Sequence, residues 1–172
     1  AYNGTGRSPQ DLLPSLVSAF PRGKLPERHV LTATVPGVVR GWHDLHQRHG
    51  RLPWQRLFQD AIRVANQGFP VAPVAAREWA LFQPVIARDP VAAALYRAHA
   101  VPSAGERFAN PELGAVLQAV ANEGPDAFYL GEPARAAERA SDTLGGVLKA
   151  QDFARHTGHF AAPLRANFRG LE

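Results

Sequence analysis

The stretch from Thr34 to Val71, TVPGVVRGWHDLHQRHGRLPWQRLFQDAIRVANQGFPV, is the most tightly punctuated part of the chain and narrows what it can fold into. Pro36-Gly37 reads as a loop pair whose glycine permits a backbone conformation that other residues resist, so the chain can turn straight into a helix. The spacing predicts that helix over 38–49. Gly50 is expected to end it as a C′ residue, and Pro53 to open a second helix at a position where its missing N–H costs nothing. In the second helix Trp54, Leu57, Phe58, Ala61, Ile62 and Ala65 recur at i, i+3, i+4, i+7, i+8 and i+11, an apolar stripe that Gly68 closes. Two helices bounded in this way are expected to form a rigid hairpin.

A second stripe lies downstream. Asn110-Pro111 is an N-cap and N1 pair, Leu113, Val116, Leu117 and Val120 repeat at i, i+3, i+4 and i+7, and Gly124 is the stop. Together the stripes predict one buried helical core made of Trp54, Leu57, Phe58, Ile62, Leu113, Val116, Leu117 and Val120. Trp42, Trp79, Phe69, Phe82, Phe128 and Tyr129 are expected to be core as well, since aromatics usually bury. Between Asp11 and Val17, in a proline-studded stretch, at most a short helix is expected. Residues 74–87 are helix-prone, with Pro84 kinking or ending the run, and 91–98 add a turn or two. Residues 131–143 predict a further helix ended at Gly145-Gly146, and 149–156 a short one. Strand-like pieces are read at Ala1–Asn3, at Thr32–Val35, and at Pro163–Phe168, where Leu164, Ala166 and Phe168 alternate to one side. About six helices with strand-like ends predict a single, mainly α segment over 1–172 whose termini re-enter a sheet that the chain does not contain.

Composition removes several function classes. A hydrophobic share of 45% against 20% charged residues suits a globular domain rather than a disordered tail. With no cysteine there are no disulfides, no thiolate catalysis and no cysteine-based zinc site. The net charge of +4 invites a nucleic-acid reading, but the arginines are scattered singly with no basic run, so no nucleic-acid partner is expected. No apolar run is long enough to span a bilayer, and no membrane partner is expected. The chain starts at Ala1 without a methionine, so the lack of a visible leader decides nothing about compartment.

Three constellations could carry chemistry. His43, His46 and His49 form HxxHxxH on one helix, but i+6 is rotated well away from i and i+3, and no carboxylate of an HExxH type accompanies them, so no metal is expected. Ser8, Ser15, Ser18, Ser103 and Ser141 sit in loop or turn contexts, none in a GxSxG elbow, and read as capping or turn hydroxyls. Gly4-Thr5-Gly6-Arg7 lacks the lysine and glycine spacing of a phosphate loop. It does offer an arginine at the mouth of a strand, where a planar guanidinium can clamp a carboxylate at two points; Arg7 is the candidate substrate-binding residue, with an ordinary surface arginine as the alternative.

The segment with Pro36-Gly37, His46 and Gly50, Leu52-Pro53-Trp54, Ala61-Ile62 and Gly68-Phe69 closely resembles the large-subunit helical region of the gamma-glutamyltransferase (gamma-glutamyltranspeptidase) family of N-terminal-nucleophile hydrolases. NPELGAVLQAVANEGPDAFYLGEPA is similar to the family's Asn-Pro-x-Leu helix and Gly-Pro-x-x-Phe-Tyr-x-Gly turn, and GGVLKAQDFARHTGHFAAPLRANFRG to its Gly-Gly, Asp-Leu/Phe helix, Pro-Leu strand and final Arg-Gly. Asp60 departs from the pattern where the family often has proline. The resemblance implies the helical part of the large subunit of an αββα sandwich, with short strand segments at both ends. It implies a protein that cuts itself and uses the new N-terminal threonine of its small subunit as nucleophile, with the α-amine as base, to transfer or hydrolyse γ-glutamyl amides such as glutathione. No Thr-Thr-His-type junction occurs in these residues, so no catalytic residue is expected within the chain. The partners implied are the remainder of the large subunit, the small subunit from the same precursor and a small-molecule γ-glutamyl donor; no cofactor is implied. Periplasmic or secreted members are common in the family, and a cytoplasmic one is compatible with it.

The family places its substrate-carboxylate arginine in an Arg-Glu-x-Ala-Pro loop. Setting Ser8-Pro9 on the Ala-Pro puts Thr5 at the arginine's position and Arg7 two residues later. Either Arg7 reaches the same carboxylate from a differently shaped loop, or recognition of the donor's carboxylate is altered. The second case makes a glutaryl or cephalosporin-type acylase the alternative within the fold, and a stand-alone helical interaction domain the alternative outside it.

Overall fold

In a computed structural model the chain is described at residues 1–97 and 100–170, and it is built mainly from helices. Nine α-helices are formed among the described residues: α1 Pro14–Ser18, α2 Val38–His49, α3 Gln59–Gln67, α4 Pro73–Ile86, α5 Pro90–Leu95, α6 Pro111–Glu123, α7 Asp126–Tyr129, α8 Glu132–Thr143 and α9 Ala150–Ala154. Four two-residue strands accompany them: β1 Tyr2–Asn3, β2 Phe69–Pro70, β3 Arg107–Phe108 and β4 His159–Phe160. Short 3-10 turns lie at Pro21–Gly23, Val30–Thr32 and Trp54–Phe58.

The chain divides into two compact units. The first, Ala1–Trp54 with Asn122–Glu172, brings the ends of the sequence together. β1 and β4 pair antiparallel with Tyr2 opposite Phe160 and Asn3 opposite His159, and Ala1 and Ala161 extend the ladder by exchanging backbone hydrogen bonds at 2.9 and 3.0 Å. The pairing strand is His159–Phe160, not the expected Pro163–Phe168. That segment holds only a lone bridge residue at Phe168, and its apolar side chains face solvent, with Leu164 fully exposed. The core of this unit gathers Leu31, Val35, Val39, Tyr129, Ala134, Leu148 and Phe153.

The second unit is Gln55–Ala121. β2 and β3 pair antiparallel, Phe69 opposite Phe108, and the buried side chains are Phe58, Ala65, Val71, Ala93, Phe108, Val120 and Ala121. Trp79 meets the Phe108 ring edge-on at 4.7 Å and donates its indole N–H to Tyr96 O at 2.9 Å. Asn110 caps α6 as its sequence dictates, accepting from Leu113 N at 2.9 Å, and Gly124 ends that helix at φ +78°.

Several boundaries differ from the sequence expectation for identifiable reasons. The stretch expected to begin the second helix at Pro53 opens as a 3-10 turn and becomes α-helical only at Gln59. That change of pitch turns Leu57 outward, so it is 48% exposed while the adjacent Phe58 is buried. Leu113, also expected in the core, is 48% exposed, whereas Val120 is 1% exposed. Trp42, Phe69 and Phe82 are exposed too, so the aromatics are not all core. The helices of the expected hairpin fall in different units, α2 in the first and α3 in the second. Gly50 does end α2, but at φ −65° rather than in a left-handed conformation; a Cβ there would strike the His46 carbonyl and ring. Thr32–Val35 is not a strand, because His29 caps a 3-10 turn at Val30–Thr32 by accepting from Leu31 N at 3.2 Å. Pro84 stays inside α4 without ending it. The helix expected over 91–98 is seen as Pro90–Leu95, and the last of those residues, Ala98, lies outside the described residues.

Candidate functional site

The loop leaving β1 carries Arg7, and its backbone is latched to the segment that leads into α2. Val35 N donates to Arg7 O at 3.1 Å. The two chain segments lie so close that a Cβ on Gly6 would overlap the Val35 carbonyl, and one on Gly37 the Gly4 carbonyl. Contact rather than conformational freedom therefore demands glycine at 37, whose φ is −91°.

That demand creates a difficulty for α2. Gly37 occupies the N-cap and has no side chain to hold the first free N–H groups of the helix. The cap comes from Tyr129 instead. Its hydroxyl accepts from Arg40 N at 3.0 Å and donates to Pro36 O at 2.8 Å. Tyr129 is 1% exposed, and burial pushes its phenol up, against a smaller opposing pull from Arg40. The Arg40 guanidinium lies over the Tyr129 ring, 5.1 Å from its centroid, and pairs with Asp126 at 3.2 Å.

His156 stacks on Tyr129, centroids 5.3 Å apart and planes 24° from parallel. Burial first, and then the Arg40 and Arg7 charges, hold this imidazole below its ordinary pKa, so at neutral pH it is uncharged. Its buried Nε2 faces Gly37 without a hydrogen bond of ordinary geometry. On the β1 side, Tyr2 donates to Asp44 Oδ2 at 2.7 Å and ties α2 to the strand. Burial, with the Asp44 bond and charge behind it, pushes the Tyr2 phenol up to about 12.

Beside this latch opens a cavity of about 380 Å³, lined by Arg7, Gln10, Val35, Asp152, Arg155 and His156 together with Ser8. Arg7 is exposed and has no ion-pair partner among the described residues. The sequence candidate thus sits at a cavity mouth with its charge free, on a loop whose backbone is fixed.

The other candidates are occupied by structural work. The His43 and His46 rings pack on Trp54 at 5.5 and 5.3 Å, His46 Nε2 donates to Leu52 O at 2.8 Å, and His49 meets Phe160 edge-on. Among the described residues no three histidine, aspartate or glutamate side chains are placed to share a metal ion. The Ser141 hydroxyl, 4% exposed, accepts from Leu148 N at 2.9 Å, and the Ser18 hydroxyl donates to Ser15 O. Tyr129, Arg40, Arg155 and His156 were not singled out by sequence reasoning as site residues. The Tyr129 hydroxyl finds its partners about ninety residues away in the chain, a pairing that local pattern does not reveal.

The fold places the chain in a class, the helical part of an N-terminal-nucleophile hydrolase. The chain superposes on Helicobacter pylori gamma-glutamyltranspeptidase with a TM-score of 0.91, covering 98% of this chain and 50% of that one at 20% identity, a likeness of fold alone. It matches a cephalosporin acylase from Bacillus halodurans at TM-score 0.89 and 29% identity, over 98% of this chain and 33% of that one. The model of the gamma-glutamyltranspeptidase family matches residues 1–172, and the chain belongs to that family. A Bacillus subtilis relative, the glutathione hydrolase-like YwrD proenzyme, is 32% identical over 171 residues, which are 98% of this chain and 32% of the relative, so the chain spans about a third of that relative's length.

Proposed function

We propose that the chain is part of the large subunit of an enzyme that transfers or hydrolyses γ-glutamyl amides, with glutathione as a representative donor. The family match along residues 1–172 carries this reading. A relative named as a proenzyme supports a precursor cut into two subunits, this chain lying in the larger. The nucleophile is then an N-terminal threonine outside these residues. Its hydroxyl adds to the donor's amide carbonyl while the α-amine takes the hydroxyl proton; that proton passes to the departing amine and leaves an acyl-threonine ester, whose acyl group then passes to water or an acceptor amine as the attacking group's proton returns through the α-amine to the threonine oxygen. This chain's residues do no bond-making in that scheme. They hold the acyl group.

Arg7 is the residue assigned to that task. A guanidinium offers two parallel N–H donors to a carboxylate, and one with no internal ion pair keeps them for a ligand. A second reading, an acylase for glutaryl or related side-chain amides, draws support from the 29% identity with the cephalosporin acylase and from Arg7 lying two positions beyond the family's arginine. Kinetics of the complete enzyme separate the two readings. The main reading predicts that a γ-glutamyl donor is preferred over the matched glutaryl donor, which keeps the carboxylate and lacks the amine, and the reverse preference selects the acylase. In either case Arg7→Ala raises KM for carboxylate-bearing donors by about tenfold or more with a smaller change in kcat, the loss expected for a hydrogen bond to a charged group. An unchanged KM returns Arg7 to the surface.

A further inference from the structure

The walls of the 380 Å³ cavity hold more positive charge than the Arg7 reading uses. Arg155 and His156 line it with Arg7, and Asp152 is the one acid among the lining residues. That acid forms no ion pair with either arginine among the described residues. Its Oδ1 accepts from Gln10 N at 3.0 Å and its Oδ2 from Lys149 N at 2.9 Å, so both oxygens are committed to backbone donors, one of them at the start of α9. Arg155 follows α9 and is exposed; its recorded partner is the neutral Gln10 side-chain oxygen, which accepts from Nη1, and it has no ion pair among the described residues. Two guanidinium groups, neither in an ion pair among the described residues, thus line one cavity together with an imidazole that burial keeps neutral.

We propose that the donor's carboxylate is bound in this cavity between Arg7 and Arg155, so that Arg155 is a second specificity-determining contact. The proposal rests on the reading of Arg7 given above and adds the partner that the sequence pattern did not supply. A carboxylate has two oxygens and accepts from two guanidinium groups without crowding. Gln10 is the natural spacer. Its amide occupies Arg155 through one N–H and leaves the remaining donors of the fork for the ligand.

The test is steady-state kinetics of the complete, processed enzyme with three matched donors: a γ-glutamyl amide, the corresponding glutaryl amide, and the glutaryl compound with its free carboxylate converted to a primary amide. Arg155→Gln is expected to raise KM for the donors that keep the carboxylate by about tenfold and to leave kcat within about twofold, with the neutral donor nearly indifferent. Arg155→Lys, which keeps the charge but loses the fork, recovers part of the loss. Equal losses on all three donors would assign Arg155 a structural role and overturn the proposal. Arg7→Ala run in parallel keeps the two readings apart. If it abolishes the preference for carboxylate-bearing donors while Arg155→Gln behaves as wild type, the second contact is wrong and the Arg7 reading stands; if neither substitution alters the preference, both fail.

Discussion

Replacing Tyr129 with phenylalanine removes one oxygen and keeps the ring, and the structure fixes what that oxygen does. It accepts from Arg40 N in the first turn of α2, where Gly37 has no side chain to take that role, and it donates to Pro36 O. Loss of a helix N-cap costs about 0.5–2 kcal/mol, and leaving a buried carbonyl without its donor adds about 1 kcal/mol. The expected total is about 2 kcal/mol, or roughly thirtyfold in the equilibrium for local opening. The ring should hold its stack on His156 and its contact with Arg40, so the effect is confined to the start of α2 and the latched loop. Hydrogen exchange of the complete enzyme, read by mass spectrometry on a peptide spanning residues 37–41, measures this directly. Exchange there should accelerate by roughly thirtyfold while α8 is unaffected. An acceleration below about threefold would mean that Tyr129 is not the cap and that the latch is held by other contacts.

Two further outcomes follow from burial and charge. Val120→Ala, at a site 1% exposed, should cost about 2 kcal/mol, whereas Leu57→Ala, at a side chain 48% exposed, should cost less than about 1 kcal/mol; denaturant or thermal unfolding that ranks them the other way would refute the core assignment. Because the folded protein holds His156 below its ordinary pKa of 6.5, the unfolded chain binds the extra proton more readily, so stability should fall as pH drops through and below 6.5. His156→Gln should flatten that part of the stability profile, and an equally steep loss in the variant would place the acid sensitivity elsewhere.

How far the sequence reveals this molecule depends on how far apart the interacting residues lie. α2 was readable to the residue because a loop pair and a glycine bound it locally, and α6 because Asn110, Pro111 and Gly124 do the same. The i, i+3 spacing of Leu57 from Trp54 is a helical inference, and it failed where the backbone opens as a 3-10 turn, since a change of pitch alters which face a residue shares. β2 and β3 were not foreseen, being two residues each and paired across 37 to 39 positions, which no local alternation announces. At the candidate site, Arg7 was legible as a cation in the loop after the first strand, and it lines the cavity there. Its neighbours were not. Arg155 comes from the far end of the chain, 145 positions from Gln10, and reads in sequence as one more scattered arginine. Tyr129 reads as a core aromatic, which it is; only the folded chain reveals that its hydroxyl stands in for the side chain Gly37 lacks.

The proposed function puts this chain in a large subunit severed from the subunit that holds the nucleophile. The most direct measurement is intact-mass and N-terminal analysis of the complete protein after purification, beside its activity on a γ-glutamyl amide. Two chains from one precursor are expected, the smaller beginning with threonine, with activity lost when that threonine is replaced by alanine. A protein that stays uncut and still turns over the donor, or one cut at a junction with no N-terminal nucleophile, would contradict it.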